Sequence, residues 1–114
     1  MAIKVQSIEE LQQYFRGVVE RAECHAPGVA DIIYPLLGMV VLKLDDKSDI
    51  QVRSYNDAPG NILWAFINGT RYTFRYEHSD QSIEIRKDSY RGPVLHKITN
   101  HTSISALKAI FNTL

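Results

Sequence analysis

Four histidines, one cysteine and a knot of carboxylates are the side chains with which this chain could do chemistry. Cys24 and His25 are adjacent. On a helix their side chains diverge by about 100° and cannot easily share a metal ion. His96 and His101 stand five apart, across a strand end and a loop, and together with His78 they match no structural zinc spacing. As a nucleophile Cys24 would need a base and a third group to orient that base. No such context surrounds it, so it reads as a buried or half-buried thiol. Asp45, Asp46 and Asp49 cluster in "DDKSD". Paired acids can exchange protons with a substrate, but this spacing reads as a solvated turn. G-x-S-x-G, the P-loop, G-x-G-x-x-G and H-E-x-x-H are all absent. These residues lean away from an enzyme, and no metal or cofactor is expected.

The totals narrow the partners. The chain has 114 residues, the size of one domain. Thirteen basic side chains balance thirteen acidic ones, so no strong field steers it to nucleic acid or to an anionic membrane. Residues 32–42 form the longest apolar stretch, too short to span a bilayer. A single cysteine excludes an internal disulfide and suits a reducing compartment. The first ten residues lack the apolar core of a secretory signal. Cytoplasm is the expected location.

Helices and strands must position whatever site exists. "SIEE" at 7–10 is a capping box, in which Ser7 and Glu10 satisfy each other's amides. Ile8, Leu11, Tyr14, Phe15, Val18, Val19 and Ala22 then recur at helical spacing, up to "APG" at 26–28. Residues 29–44 repeat apolar side chains at i, i+3 and i+4, which predicts a second helix kinked at Pro35. A short helix ending near Gly38, followed by a strand, is the alternative. The other side of this segment holds Tyr34, Gly38, Met39 and Leu42, none of them charged. A helix apolar all round must be covered all round. Five strands follow, at 50–55, 62–67, 70–77, 82–87 and 93–98, and a last helix follows the capping residues of "NHTS" at 100–103. The order α-α-β-β-β-β-β-α with short turns predicts an α+β domain over 1–114. Its sheet is an antiparallel meander, with the helices packed on one face.

The turns set the register. A type I′ turn at Asn68-Gly69 places Leu63 opposite Phe74 and Trp64 opposite Thr73. A four-residue loop at 78–81 places Phe74 opposite Ile85 and Arg75 opposite Glu84. A six-residue loop at 56–61 places Val52 opposite Ala65 and Arg53 opposite Trp64. One face then gathers Ile50, Val52, Leu63, Ala65, Ile67, Tyr72, Phe74, Tyr76, Ile83 and Ile85, the predicted core. The other mixes Trp64, Phe66 and Tyr55 with Arg53, Arg71, Arg75 and Arg86. Arginines can lie over aromatic rings with a cation–π attraction of roughly 0.5–1 kcal/mol. Such a face is either a ladder shaded by its own arginine stems or a contact surface, since Trp, Tyr and Arg are enriched in interface hot spots. Trp64, Phe66, Tyr55, Arg53, Arg71 and Arg75, with Tyr34 and Met39 on the second helix, are the candidate binding residues.

"GNILWAFINGTRYTFRYEHSDQSIEIRKDS" followed by "GPVLHKITNHTS" resembles small proteins encoded by integron gene cassettes. The resemblance runs from "HAPGV" to the C-terminal "IFNTL". It implies a mobile bacterial gene, a compact α+β fold of unassigned activity and frequent self-association. It carries over no functional residues. The sequence thus points to a homo-oligomer that binds a small ligand or a protein partner without turnover. The alternatives are neutralisation of a toxin or other protein, and an enzyme with a pocket between sheet and helices. A pocket containing Tyr72, Tyr76 and polar groups would favour the enzyme. A flat Trp64–arginine face would favour a binding role.

Overall fold

The computed structural model describes residues 8–55, 58–89 and 91–114, with the backbone alone at 52–55 and 58–61. Helix α1 (Ile8–His25) follows the predicted apolar repeat; Ser7 of the expected capping box lies outside the described residues. Helix α2 (Ile33–Lys43) starts one turn later than its apolar periodicity suggests. Pro35 therefore falls in the first turn, where an amide has no intrahelical partner to lose. The expected helix over 29–44 is corrected in its bounds, to 33–43. Residues 27–32 are turns instead. Asn100 holds them from a distance: its Oδ1 accepts from the amides of Asp31 and Ile32 at 3.0 Å each, and its Nδ2 donates to the Pro27 carbonyl at 2.8 Å. Residues 39–43 stay helical, and Leu44 forms an isolated bridge with Ile67.

The five strands are β1 (Gln51–Tyr55), β2 (Ala58–Ile67), β3 (Thr70–Glu77), β4 (Ser82–Lys87) and β5 (Val94–Ile98), paired antiparallel in chain order. The order α-α-β-β-β-β-β-α stands as expected, closed by α3 (Ile104–Asn112). Ser103 is its N-cap, with its side chain accepting from the Ala106 amide at 3.0 Å.

Asn68 and Gly69 both have positive φ, 53° and 82°, as a type I′ turn requires. That turn gives the predicted pairs Leu63↔Phe74, Trp64↔Thr73 and Phe66↔Arg71. The β3–β4 pairs Phe74↔Ile85 and Arg75↔Glu84 also match. The β1–β2 register does not. Strand β2 begins at Ala58, so Val52 meets Leu63 and Gln51 meets Trp64, with a shift in register between Val52 and Ser54. A displacement of two residues leaves the side-chain alternation of Val52 unchanged. The irregularity falls at Arg53, so Arg53 and Trp64 are not partners.

All three helices share one core with one sheet face. Leu36 and Val40 of α2 and Leu107 and Phe111 of α3 join Leu63, Ala65, Ile67, Tyr72, Phe74, Ile83 and Ile85. Burying each large aliphatic or aromatic side chain here contributes about 1.5–3 kcal/mol. The rings of Phe74 and Phe111 stack at 6.0 Å between centroids.

Candidate functional site

The second sheet face divides in two. At the hairpin end, Trp64 is half-buried and the Arg71 guanidinium lies over its ring, 5.3 Å from the centroid. Beside them Phe66 is 43% exposed. Tyr55 and Arg53 belong to β1, and their side chains lie outside the described residues. Across β3 and β4 the face is polar yet buried. Glu84 is only 3% exposed. Its Oε1 accepts from Arg86 Nε at 3.1 Å, from Arg86 Nη2 at 2.9 Å and from Arg75 Nη1 at 3.4 Å. Arg75 also pairs with Glu77 at 2.8 Å, and Arg86 Nη1 donates to the Gly92 carbonyl at 2.8 Å. Thr73, fully buried, donates to the Asp88 carbonyl at 2.7 Å. The connection after β4 thus folds back over this half. Glu77 is held below its ordinary pKa, first by the Ser79 amide and then by Arg75. Arg75, a candidate binding residue, is committed to carboxylates of its own chain.

A second surface lies between α1 and α2. Ile8, Leu11, Phe15 and Val19 on α1 face Tyr34, Gly38, Val41 and Leu42 on α2 across a groove of about 780 Å³. Leu42 is 79% exposed, Tyr34 55% and Ile8 49%. A Cβ added to Gly38 would meet nothing within 4 Å. The Tyr34 phenol donates to Glu23 Oε1 at 2.7 Å, joining the two helices, and this bond raises the phenol's pKa above its ordinary value. Met39 points elsewhere: it is half-buried and packs against the core.

A third feature lies beneath the helices. A cavity of about 90 Å³ opens between α1, α2 and the sheet. Its walls include Val18, Ala22, Val29, Leu36, Val40 and Phe74. Arg21, His25, Tyr76 and His78 also line it. The ring of His78 meets Tyr76 edge-on at 4.8 Å. Tyr72 is buried in the core and does not line this cavity. Among the described residues no group of three or more His, Cys, Asp or Glu side chains could hold a metal ion. Cys24 is exposed, correcting the expected buried thiol: α1 buries the face carrying Ala22 and leaves Cys24 outside it.

The family model described as integron cassette protein VCH_CASS1 chain matches residues 11–108, from α1 into α3. The chain belongs to this integron cassette protein family. A search of curated proteins finds no match. In this cassette protein, the residues that sequence reasoning missed are Ile8 and Val41 in the groove and Arg21, His25 and His78 at the cavity. The groove had a signal, the apolar far side of α2. Arg21 and His25 also had one, because they stand four apart on α1 and so share a helix face. His78 had none, because only the β3–β4 turn brings it to the cavity.

Proposed function

We propose that this integron cassette protein is a self-associating interaction module, and that the groove between α1 and α2 takes a second copy of the chain. The observation that carries this reading is Leu42, 79% exposed in an apolar strip with Tyr34, Val41 and Ile8. Contiguous exposed apolar surface of this kind marks interaction sites. A second copy fits the groove's rim, which carries both signs of charge, Arg16 against Glu20 and Glu23. A two-fold axis passing between Arg16 and the two glutamates would set each sign against its opposite. The open space over Gly38 lets a partner helix approach closely. The formal net charge of zero opposes no pairing of copies.

Sedimentation velocity at micromolar concentration tests it. Wild type is expected as a dimer or larger. Leu42→Asp is expected to weaken assembly by about 2 kcal/mol or more, as hot-spot truncations do, and to leave the fold intact. A 13.0 kDa monomer at every concentration would overturn the proposal. Trp64 supplies a control, as the chain's one tryptophan. Assembly through the helices leaves its emission unchanged on dilution. A red shift would move the contact to the Trp64–Phe66 end of the sheet.

A further inference from the structure

We propose that the cavity between α1, α2 and the sheet binds a small amphiphilic carboxylate, apolar body inward and carboxylate at the basic mouth. Size comes first. The cavity measures about 90 Å³. One water needs only about 10–15 Å³ on this measure, so the cavity is larger than a single-water site and has room for a short alkyl chain. The walls are aliphatic and aromatic, and the surrounding residues Leu36, Val29 and Val40 are almost wholly buried. A void of this size left empty costs stability, because its lining lacks partner atoms.

Charge comes second. The most exposed lining residues are Arg21, His25 and His78, and the mouth is assigned to them on that ground. Arg21 and His25 lie one turn apart on α1, while His78 comes from the far side, just beyond β3. Among the described lining residues there is no carboxylate. The mouth is therefore basic, although the chain as a whole is neutral. A guanidinium takes a carboxylate through two parallel N–H bonds, and the imidazole N–H groups of His25 and His78 are further donors. A cationic ligand would meet an arginine and find no counter-charge. A neutral apolar ligand would fill the walls and gain nothing from the mouth. This site does not rest on self-association: the cavity lies on the core side of α1 and α2, the groove on their outer side.

Hexanoate is the probe, with hexan-1-ol and acetate as its two halves. Binding is read by two-dimensional amide NMR on the full chain. Hexanoate is expected to saturate, moving the signals of Val40, Leu63 and Phe74 together. Hexan-1-ol should bind at least tenfold more weakly, and acetate should not saturate. Arg21→Gln, an exposed substitution that leaves the core untouched, should weaken hexanoate about tenfold. Ala22→Leu should abolish binding by filling the cavity; should that variant fail to fold, Arg21→Gln decides alone. The Leu42→Asp variant, weakened in assembly or not, should bind hexanoate as well as wild type, which separates this site from the groove. Equal binding of hexanoate and hexan-1-ol, or an Arg21→Gln affinity equal to wild type, would overturn the proposal. So would shifts confined to residues outside the cavity.

Discussion

The polar half of the second sheet face and the outer face of α1 and α2 solve the same problem differently. Each is a surface that the single core cannot cover. On the sheet, Glu84, Thr73 and Ser82 are buried, and each has a partner within the chain. No buried side-chain nitrogen or oxygen among the described residues lacks a partner. On the helices, Leu42, Tyr34 and Ile8 remain in water. The difference lies in reach. Arginine has a long stem and a charged end, so Arg75 and Arg86 can lie along a sheet and finish it. Leucine on a helix can be finished only by another apolar surface. The closed face should therefore govern stability and the open face assembly.

The strongest way to break that comparison is Glu84→Ala. It removes the acceptor shared by Arg75 and Arg86 and leaves two cations facing each other across a half-buried space. Removing one partner of a buried pair costs about 3–5 kcal/mol. Because Arg75 and Arg86 are 30% and 20% exposed, a loss of about 2–3 kcal/mol is expected by urea denaturation. The assembly constant of the folded protein should not move. Leu42→Asp should do the reverse, with a stability change within about 0.5 kcal/mol for the monomer, as at other exposed positions. A Glu84→Ala protein as stable as wild type would mean that the face is not closed by its charges.

A smaller effect is expected where α2 hands the chain to the sheet. Asp45 Oδ1 accepts from the Asn68 amide at 2.7 Å and Oδ2 accepts from the Gly69 amide at 2.8 Å. Its own amide donates to the Phe66 carbonyl at 2.9 Å. The carboxylate thus clamps both central amides of the I′ turn. Asp45→Ala should cost about 1–2 kcal/mol, in the range of a lost N-cap, and Asp45→Asn less. An Asp45→Ala midpoint equal to wild type would show that the turn holds without the clamp.

That clamp also shows where the sequence stops being readable. The turn itself was legible, because Asn-Gly admits the positive φ that a I′ turn needs, and the β2–β3 register followed from it, as the β3–β4 register followed from the four-residue loop at 78–81. The faces followed in turn, since strand side chains alternate. Asp45 read as a solvated acid, because nothing local says which amides a carboxylate will meet after the chain turns back. Asn100 escaped for the same reason: it lies in a capping stretch, yet its partners are at 27–32. The start of α2 went with it, since periodicity counts apolar residues and cannot see a distant amide ending the pattern. The β1–β2 register failed at its loop, because β2 begins at Ala58, before Pro59 and Gly60, residues that ordinarily mark a turn. The basic mouth of the cavity needs α1 and the β3–β4 turn side by side, which is a property of the fold rather than of any stretch of sequence.

The smallest effect lies at the rim of the closed face. Lys97 stands opposite Glu84 on β5 and pairs with Asp80 in the β3–β4 turn. The Lys97 ammonium, aided by the Ser82 hydroxyl, holds the Asp80 carboxyl below its ordinary value, and Asp80 in return raises Lys97. The sign follows from these directions. Asp80 contributes stability that is present above the carboxylate's ordinary pKa and is lost as pH falls through its depressed value. Lys97 contributes stability that is present below the ordinary lysine pKa and is lost as pH rises through its raised value. Neither group titrates between roughly pH 5 and 9, so the pair should give no pH dependence there. Both side chains are exposed, and the effect on stability should be slight. Lys97→Met is the test, read by NMR titration of the Asp80 carboxyl. Its pKa should rise toward the ordinary value but stop short of it, because Ser82 still donates at 2.7 Å. An unmoved Asp80 pKa would assign the depression to the turn's own hydrogen bonds and take Lys97 out of the closed face.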